Sequence, residues 1–361
     1  MARERGQRVL DKPGWEKSLR RWQAFWAGEM ADRPPIQIAI VAGESLDTGE
    51  PPSLESTLAR FDPLRNEPIL EAAERALARR AAIPDDNPPA MQAGGGVYFT
   101  GAVFGAPVKA TADMMTAEPI LKDWGQLREL RFDLGNAWVQ RALSLARQLV
   151  ARSGGRYAVT PGLLEGPSDI CAALRGITRL AGDLYQYPNE VTRLAELGAE
   201  AWERYMRTMH EIVPLYDGGT VTQWSVWTPG RGAALQEDFC TIISPNSFRR
   251  FFAPLDARLA ATVDTAWIHV HAGAIHLVEP LLEIDALRAI QIVHDGAASP
   301  PMERLVAAMQ QVQAAGKRLI VRKFSPVELE QILPRLSLRG LAIDTYLPSE
   351  EAARRWLEAT W

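Results

Sequence analysis

The sequence predicts an α/β fold, a (β/α)8 TIM barrel with an N-terminal helical extension, and three observations point there. Apolar strand-like runs at 265–271, 288–294, 317–322 and 340–345 alternate with helical segments, at the spacing of βα units. These runs are nearly continuous in apolar residues, as in a parallel sheet covered by helices. No dinucleotide fingerprint follows the first strand, which favours a closed barrel over an open sheet. At 361 residues the chain suits one such body, with 1–33 as the extension and 34–361 as the barrel.

Taken in order, Trp15, Leu19, Trp22, Phe25 and Trp26 fall near helical spacing before Gly28 and predict a helix packed across one end of the body. Pro34-Pro35 launches a strand, Ile36–Val41. The stretch 43–125 reads as irregular, with one strong helix signal between Pro68 and Arg80. Gly94-Gly-Gly96 lacks a following Gly-Lys-Ser/Thr and is not expected to open a helix, so it reads as a loop near the mouth rather than a phosphate cradle. A strand at 156–160 precedes a helix at 169–184. A longer amphipathic helix from Asn189 buries Val191, Leu194, Trp202, Tyr205 and Met209 and carries His210, which reads as structural. Residues 219–227 read as a strand, and Ser244-Pro245 opens a helix. The helix 302–315 stops at Gly316, and Ser325-Pro-Val-Glu328 is a capping box.

Composition excludes several classes of function. A net charge of −4 gives no general attraction to nucleic acid. No apolar run is long enough for a membrane span, and Met1–Arg8 has no apolar signal core. Two cysteines, Cys171 and Cys240, make no disulfide framework, so a cytoplasmic location is expected.

The strand tips carry the chemistry. His269 and His271 lie two apart on Thr-Ala-Trp-Ile-His-Val-His271 and project to one face, a half-site for a divalent metal such as zinc. The following tips read His294 and Asp295, Arg322 and Lys323, then Asp344. In a barrel of this kind the active site lies at that end of the strands. Asp344, Glu237 and His294 are open as a third metal ligand, with Asp344 favoured for its place on the last strand. Gln236, Glu237 and Asp238, in a loop otherwise poor in charge, are candidates for work on a substrate. His294, Arg322 and Lys323 are candidate substrate contacts, and Trp224 and Trp227 suggest an aromatic wall for a flat or cationic molecule.

At these residues the sequence resembles the uroporphyrinogen decarboxylase superfamily, which includes zinc-dependent corrinoid and coenzyme M methyltransferases. The resemblance runs from about Trp22 onward. It rests on Asp32-Arg-Pro-Pro35, Ala173-Leu-Arg-Gly176, Asp183-Leu184 with Pro188, Trp227-Thr-Pro-Gly230, Gln236-Glu-Asp-Phe239, Ile243-Ser-Pro245 with Phe248 and Phe252, and His269-x-His271-x-Gly273. It implies a TIM barrel with its site at the C-terminal mouth. The chain departs from both familiar branches. The arginine-rich loop of the decarboxylases is replaced by Ala39-Ile-Val-Ala-Gly-Glu44. The His-x-Cys pair and late cysteine of the methyltransferases are replaced by His269-x-His271 and a cysteine-free Ile343–Leu347. The resemblance therefore implies an uncharacterised branch with a harder, less thiolate-rich site, suited to an oxygen- or nitrogen-bearing substrate.

The expected function is a metal-dependent methyl- or alkyl-group transferase acting on a small molecule. Its implied cofactors are zinc and, in one form, a corrinoid carried by a separate protein. A small-molecule decarboxylase and a non-catalytic ligand-binding barrel are the alternatives. No nucleic-acid or membrane partner is expected, and a homodimer is open.

Overall fold

The computed structural model describes residues 12–41, 67–110 and 115–361. Met1–Arg8 and the irregular stretch 43–66 lie outside them. Twelve strands occur among the described residues: β1 (Ile36–Ile40), β2 (Ala90–Gln92), β3 (Val108–Ala110), β4 (Met115–Ala117), β5 (Ala158–Thr160), β6 (Gly219–Val221), β7 (Trp227–Pro229), β8 (Gly232–Gln236), β9 (Thr265–His271), β10 (Leu287–Val293), β11 (Arg318–Phe324) and β12 (Leu341–Leu347). Six form one parallel sheet in the order β1-β12-β11-β10-β9-β8, with helices between the successive strands from β8 onward. A parallel β2–β5 pair stands apart from it, as do the antiparallel β3–β4 and β6–β7 pairs. The fold is thus mixed α/β around a six-stranded parallel sheet. Its ladders do not join into one closed ring among the described residues.

The pleat divides the sheet into two chemistries. One face carries Ile36, Ile38, Leu235, Ile268, Val270, Ile290, Ile292, Leu319, Val321, Leu341 and Ile343, all packed into the larger hydrophobic core with the helices. The opposite face begins with Ala234, Trp267, Ala289, Ile320 and Ala342. These belong to a second cluster filled by Trp15, Trp22, Phe25, Trp26 and Trp227. The N-terminal helix Trp15–Ala27 therefore plugs one end of the sheet's concave side, as its tryptophan spacing predicts.

Paired charges clamp that helix. Fully buried Asp86 accepts from Ser18 Oγ, Arg21 Nη1, Arg33 Nη1 and the Ile36 backbone amide, at 2.5–2.8 Å. Asp85 is shared by Lys12 and Arg80 and also takes the Ile38 amide at 2.9 Å.

Several local expectations change. The helix expected over 169–184 breaks into Pro167–Arg175 and Ile177–Gln186 at Gly176, whose φ of 89° no side chain favours. The expected strand 219–227 is a short β6–β7 hairpin. Its turn holds Trp224 and Ser225 in left-handed backbone, with φ of 54° and 58°. Strand β8 has no counterpart in the sequence reading, because Gly-Ala-Ala-Leu-Gln is small-residue-rich and lacks a strand signature. Those small residues are required: a Cβ at Gly232 would sit 1.8 Å from Thr228 Oγ1. Contrary to expectation, Gly96 does precede a short helix, Val97–Ala102.

Candidate metal centre

One pleat beyond the aromatic plug, the concave face turns polar. Counting by twos along each strand leads from Ala234 to Gln236, from Trp267 to His269 and His271, from Ala289 to Gln291, from Ile320 to Arg322 and from Ala342 to Asp344. Strand register brings these together: Gln236 lies beside His269, His269 beside Gln291, Arg322 beside Asp344, and Asp344 beside Gln37 of β1.

His269, His271 and Asp238 each offer one ligand atom, and these atoms lie within 4.8 Å of one another. Each is oriented from behind. His269 Nδ1 donates to Gln291 Oε1 at 2.5 Å, and Trp224 stacks on the ring at 4.1 Å with planes 8° apart. His271 Nδ1 donates to Asp295 Oδ1 at 2.8 Å, while Asp295 Oδ2 takes the Ala272 amide at 2.9 Å. Both imidazoles are thereby left with Nε2 as the free nitrogen, and His271 Nε2 is 3.6 Å from Asp238 Oδ1. Gln236 Nε2 donates to Asp238 Oδ2 at 2.7 Å, and Asp169 holds the Asp238 and Phe239 amides at 2.7 Å.

Burial lowers the His269 pKa to about 3, so its ring is neutral and able to ligate. The Asp238 carboxyl is raised by burial, an effect opposed by His271. Two imidazoles, each with its Nδ1 engaged from behind, and one carboxyl oxygen make a donor set that fits zinc with one position left open. The strain at Trp224 and Ser225, of order 1–3 kcal/mol each, is held by Gln37. Its Nε2 donates to the Trp224 and Ser225 carbonyls at 3.0 and 2.9 Å.

The other expected residues divide. Asp344 is not the third donor: it is ion-paired with Arg322, its neighbour in register. Asp238, expected to act on substrate, is the carboxyl that lies with the two histidines instead. Glu237 is fully buried, accepts the Ser168 amide at 2.8 Å and faces Asp256. No donor reaches either Asp256 oxygen or Glu237 Oε1 among the described residues, so a proton held between the two carboxyls pairs Glu237 Oε1 with one Asp256 oxygen. His294 stacks on Phe324 and points to Glu328 at 3.5 Å, away from the trio. Lys323 is exposed, at φ 60°, where the β11–β12 register shifts. Trp227 is core: only 2% exposed, it donates Nε1 to the Tyr216 carbonyl, so the expectation that it walls a substrate gives way. Trp224 remains beside the site. Gln291, Asp169 and Gln37 are the positioning residues that the sequence reading missed. Gln291 carried a signal, being the lone uncharged polar side chain in an apolar strand.

Two cavities flank the trio. One, of about 620 Å³, is bounded by Gln37, Arg80, Asn87, Trp224, Arg322 and Asp344. The other, of about 730 Å³, reaches Asp238, Asp169 and Glu165 under a largely apolar wall. Burial pushes the Glu165 carboxyl up to about 7, against a 2.9 Å hydrogen bond from Thr100.

No protein-family profile and no curated sequence matches the chain. Among solved structures it is similar to a methyltransferase from Methanosarcina mazei. The TM-score is 0.63 at 15% identity, over 94% of this chain and 96% of that one, a likeness of fold. No helix among the described residues is long and apolar enough to cross a membrane.

Proposed function

We propose that the chain is a (β/α)8 barrel enzyme that transfers a methyl or other alkyl group to a heteroatom of a small molecule, with zinc held by His269, His271 and Asp238. The observation that carries this reading is the convergence of those three donors, each fixed from behind by a glutamine or carboxylate partner. A barrel of eight would be completed by the parallel pair β2 and β5 between β1 and β8. The methyltransferase name of a protein with the same fold supports the reaction class. Bound zinc would act as a Lewis acid on the substrate heteroatom.

The chain's own residues would do the rest. Gln291 and Asp295 keep Nε2 of each histidine pointed at the open position. Trp224 covers His269 and keeps water from its face. Glu165, ionising near neutrality on the wall of the second cavity, would receive the proton lost when an N–H, O–H or S–H group is alkylated. A corrinoid on a separate protein is the proposed methyl donor.

The test is methyl transfer from free methylcobalamin to panels of amines, alcohols and thiols by zinc-loaded protein, followed as loss of the cobalt–carbon absorbance. Zinc-dependent turnover that disappears in His271→Ala is the expected result. Carbon dioxide release from a carboxylic acid without any acceptor would replace transfer by decarboxylation. Ligand binding without turnover would favour a non-catalytic barrel.

A further inference from the structure

Three residues that line the 620 Å³ cavity each carry a buried polar atom that lacks a partner among the described residues: Arg80 Nη1, Arg322 Nε and Gln37 Oε1. Leaving two guanidinium donors and an amide acceptor buried and unpaired is costly, so a ligand that draws these side chains toward the cavity would gain by pairing them. The identity of the Gln37 oxygen is fixed, because its Nε2 already donates to Asn87 Oδ1 at 2.7 Å and to the Trp224 and Ser225 carbonyls. Charge points the same way. Arg322 is balanced by Asp344, whereas Lys12 and Arg80 share the single carboxylate of Asp85, leaving one positive charge over among the described residues. The remaining lining, including Ala73, Ala76, Leu77 and Met91, is apolar and suits a short hydrocarbon segment.

We infer that this cavity is the binding site for a small carboxylate that also carries an N–H or O–H donor. The carboxylate is taken by Arg80 Nη1 and Arg322 Nε, and the donor by Gln37 Oε1. An amino acid of extended chain and a hydroxy acid share this chemistry. Trp224, shared between the cavity and the His269 stack, places such a ligand beside the metal centre. In naming the substrate class the inference rests on the proposed function, but the binding itself does not require the metal.

The test is calorimetric titration of chelator-treated, metal-free protein with ω-amino, ω-hydroxy and unsubstituted carboxylates of four to six carbons, with hexylamine as the cation control. The best amino or hydroxy acid should bind at least about fivefold tighter than the best unsubstituted acid, and hexylamine should not compete. Arg80→Met should weaken all the carboxylates about tenfold, the scale of one charged hydrogen bond. Gln37→Leu should erase only the preference for the donor-bearing acids. Arg322→Lys keeps the charge while removing the Nε donor. It should still weaken binding, and it serves if Arg80→Met does not fold. No saturable binding, binding that requires zinc, preference for hexylamine, or affinities unmoved by these variants would each overturn the inference. Loss of methyl transfer with cavity binding intact would instead count against the proposed function alone.

Discussion

Both ends of the parallel sheet bury polar groups but use them differently. At the plugged end, Asp86 has four donors at 2.5–2.8 Å, and the helix Trp15–Ala27 covers it with tryptophans. At the other end, two imidazole nitrogens are left free, and Gln37, Arg80 and Arg322 each keep an atom without a partner among the described residues. Saturated pairing locks a helix to a sheet. Pairing left incomplete, yet rigidly supported from behind, prepares a site for something else to bind.

The largest effect is expected at the plugged end. Asp86→Ala leaves Arg21 and Arg33 buried without their shared carboxylate and should cost about 3–5 kcal/mol in urea unfolding, with metal stoichiometry unchanged in the folded fraction. A loss below about 1 kcal/mol would mean that the clamp is not structural.

At the open end, Gln291→Leu or Asp295→Asn should weaken zinc 10–100-fold by freeing the imidazoles to rotate, with little change in thermal stability. Equal damage to stability and to metal affinity would erase the contrast between the ends.

A third test concerns the buried acids behind the site. Burial raises the Asp256 carboxyl to about 7, so the folded state keeps a proton that an unfolded chain loses near pH 4. Stability from this group is therefore full below about pH 4, is lost as pH rises toward 7, and is flat above. Asp256→Asn should remove that slope and raise stability at pH 8 by about 4 kcal/mol relative to pH 4. Melts across this range check the sign, and an increased slope would contradict it. The smallest effect is expected at Lys323, exposed with φ 60°. Lys323→Gly should relieve strain by about 1 kcal/mol in denaturant titrations and leave zinc binding untouched.

Much of the layout was legible because periods are legible. The alternation of His269 and His271 fixed their shared face, and the Trp15–Trp26 spacing fixed the plug. What escaped depended on register between distant segments. Nothing in the sequence shows that Arg322 and Asp344 become neighbours and pair, so Asp344 looked free to ligate. Trp227 looked like a wall because the turn at Trp224 and Ser225 needs left-handed backbone at two non-glycine residues, which composition does not announce. Asp238 was found as a functional residue but in another role, since strand β8, which delivers it, has no strand-like composition.

X-ray absorption at the zinc edge of purified, zinc-loaded protein reads the donor set itself. About one zinc per chain with only nitrogen and oxygen neighbours is expected, and loss of that zinc in His269→Ala. A sulfur neighbour, or full zinc retention in His269→Ala, would contradict it.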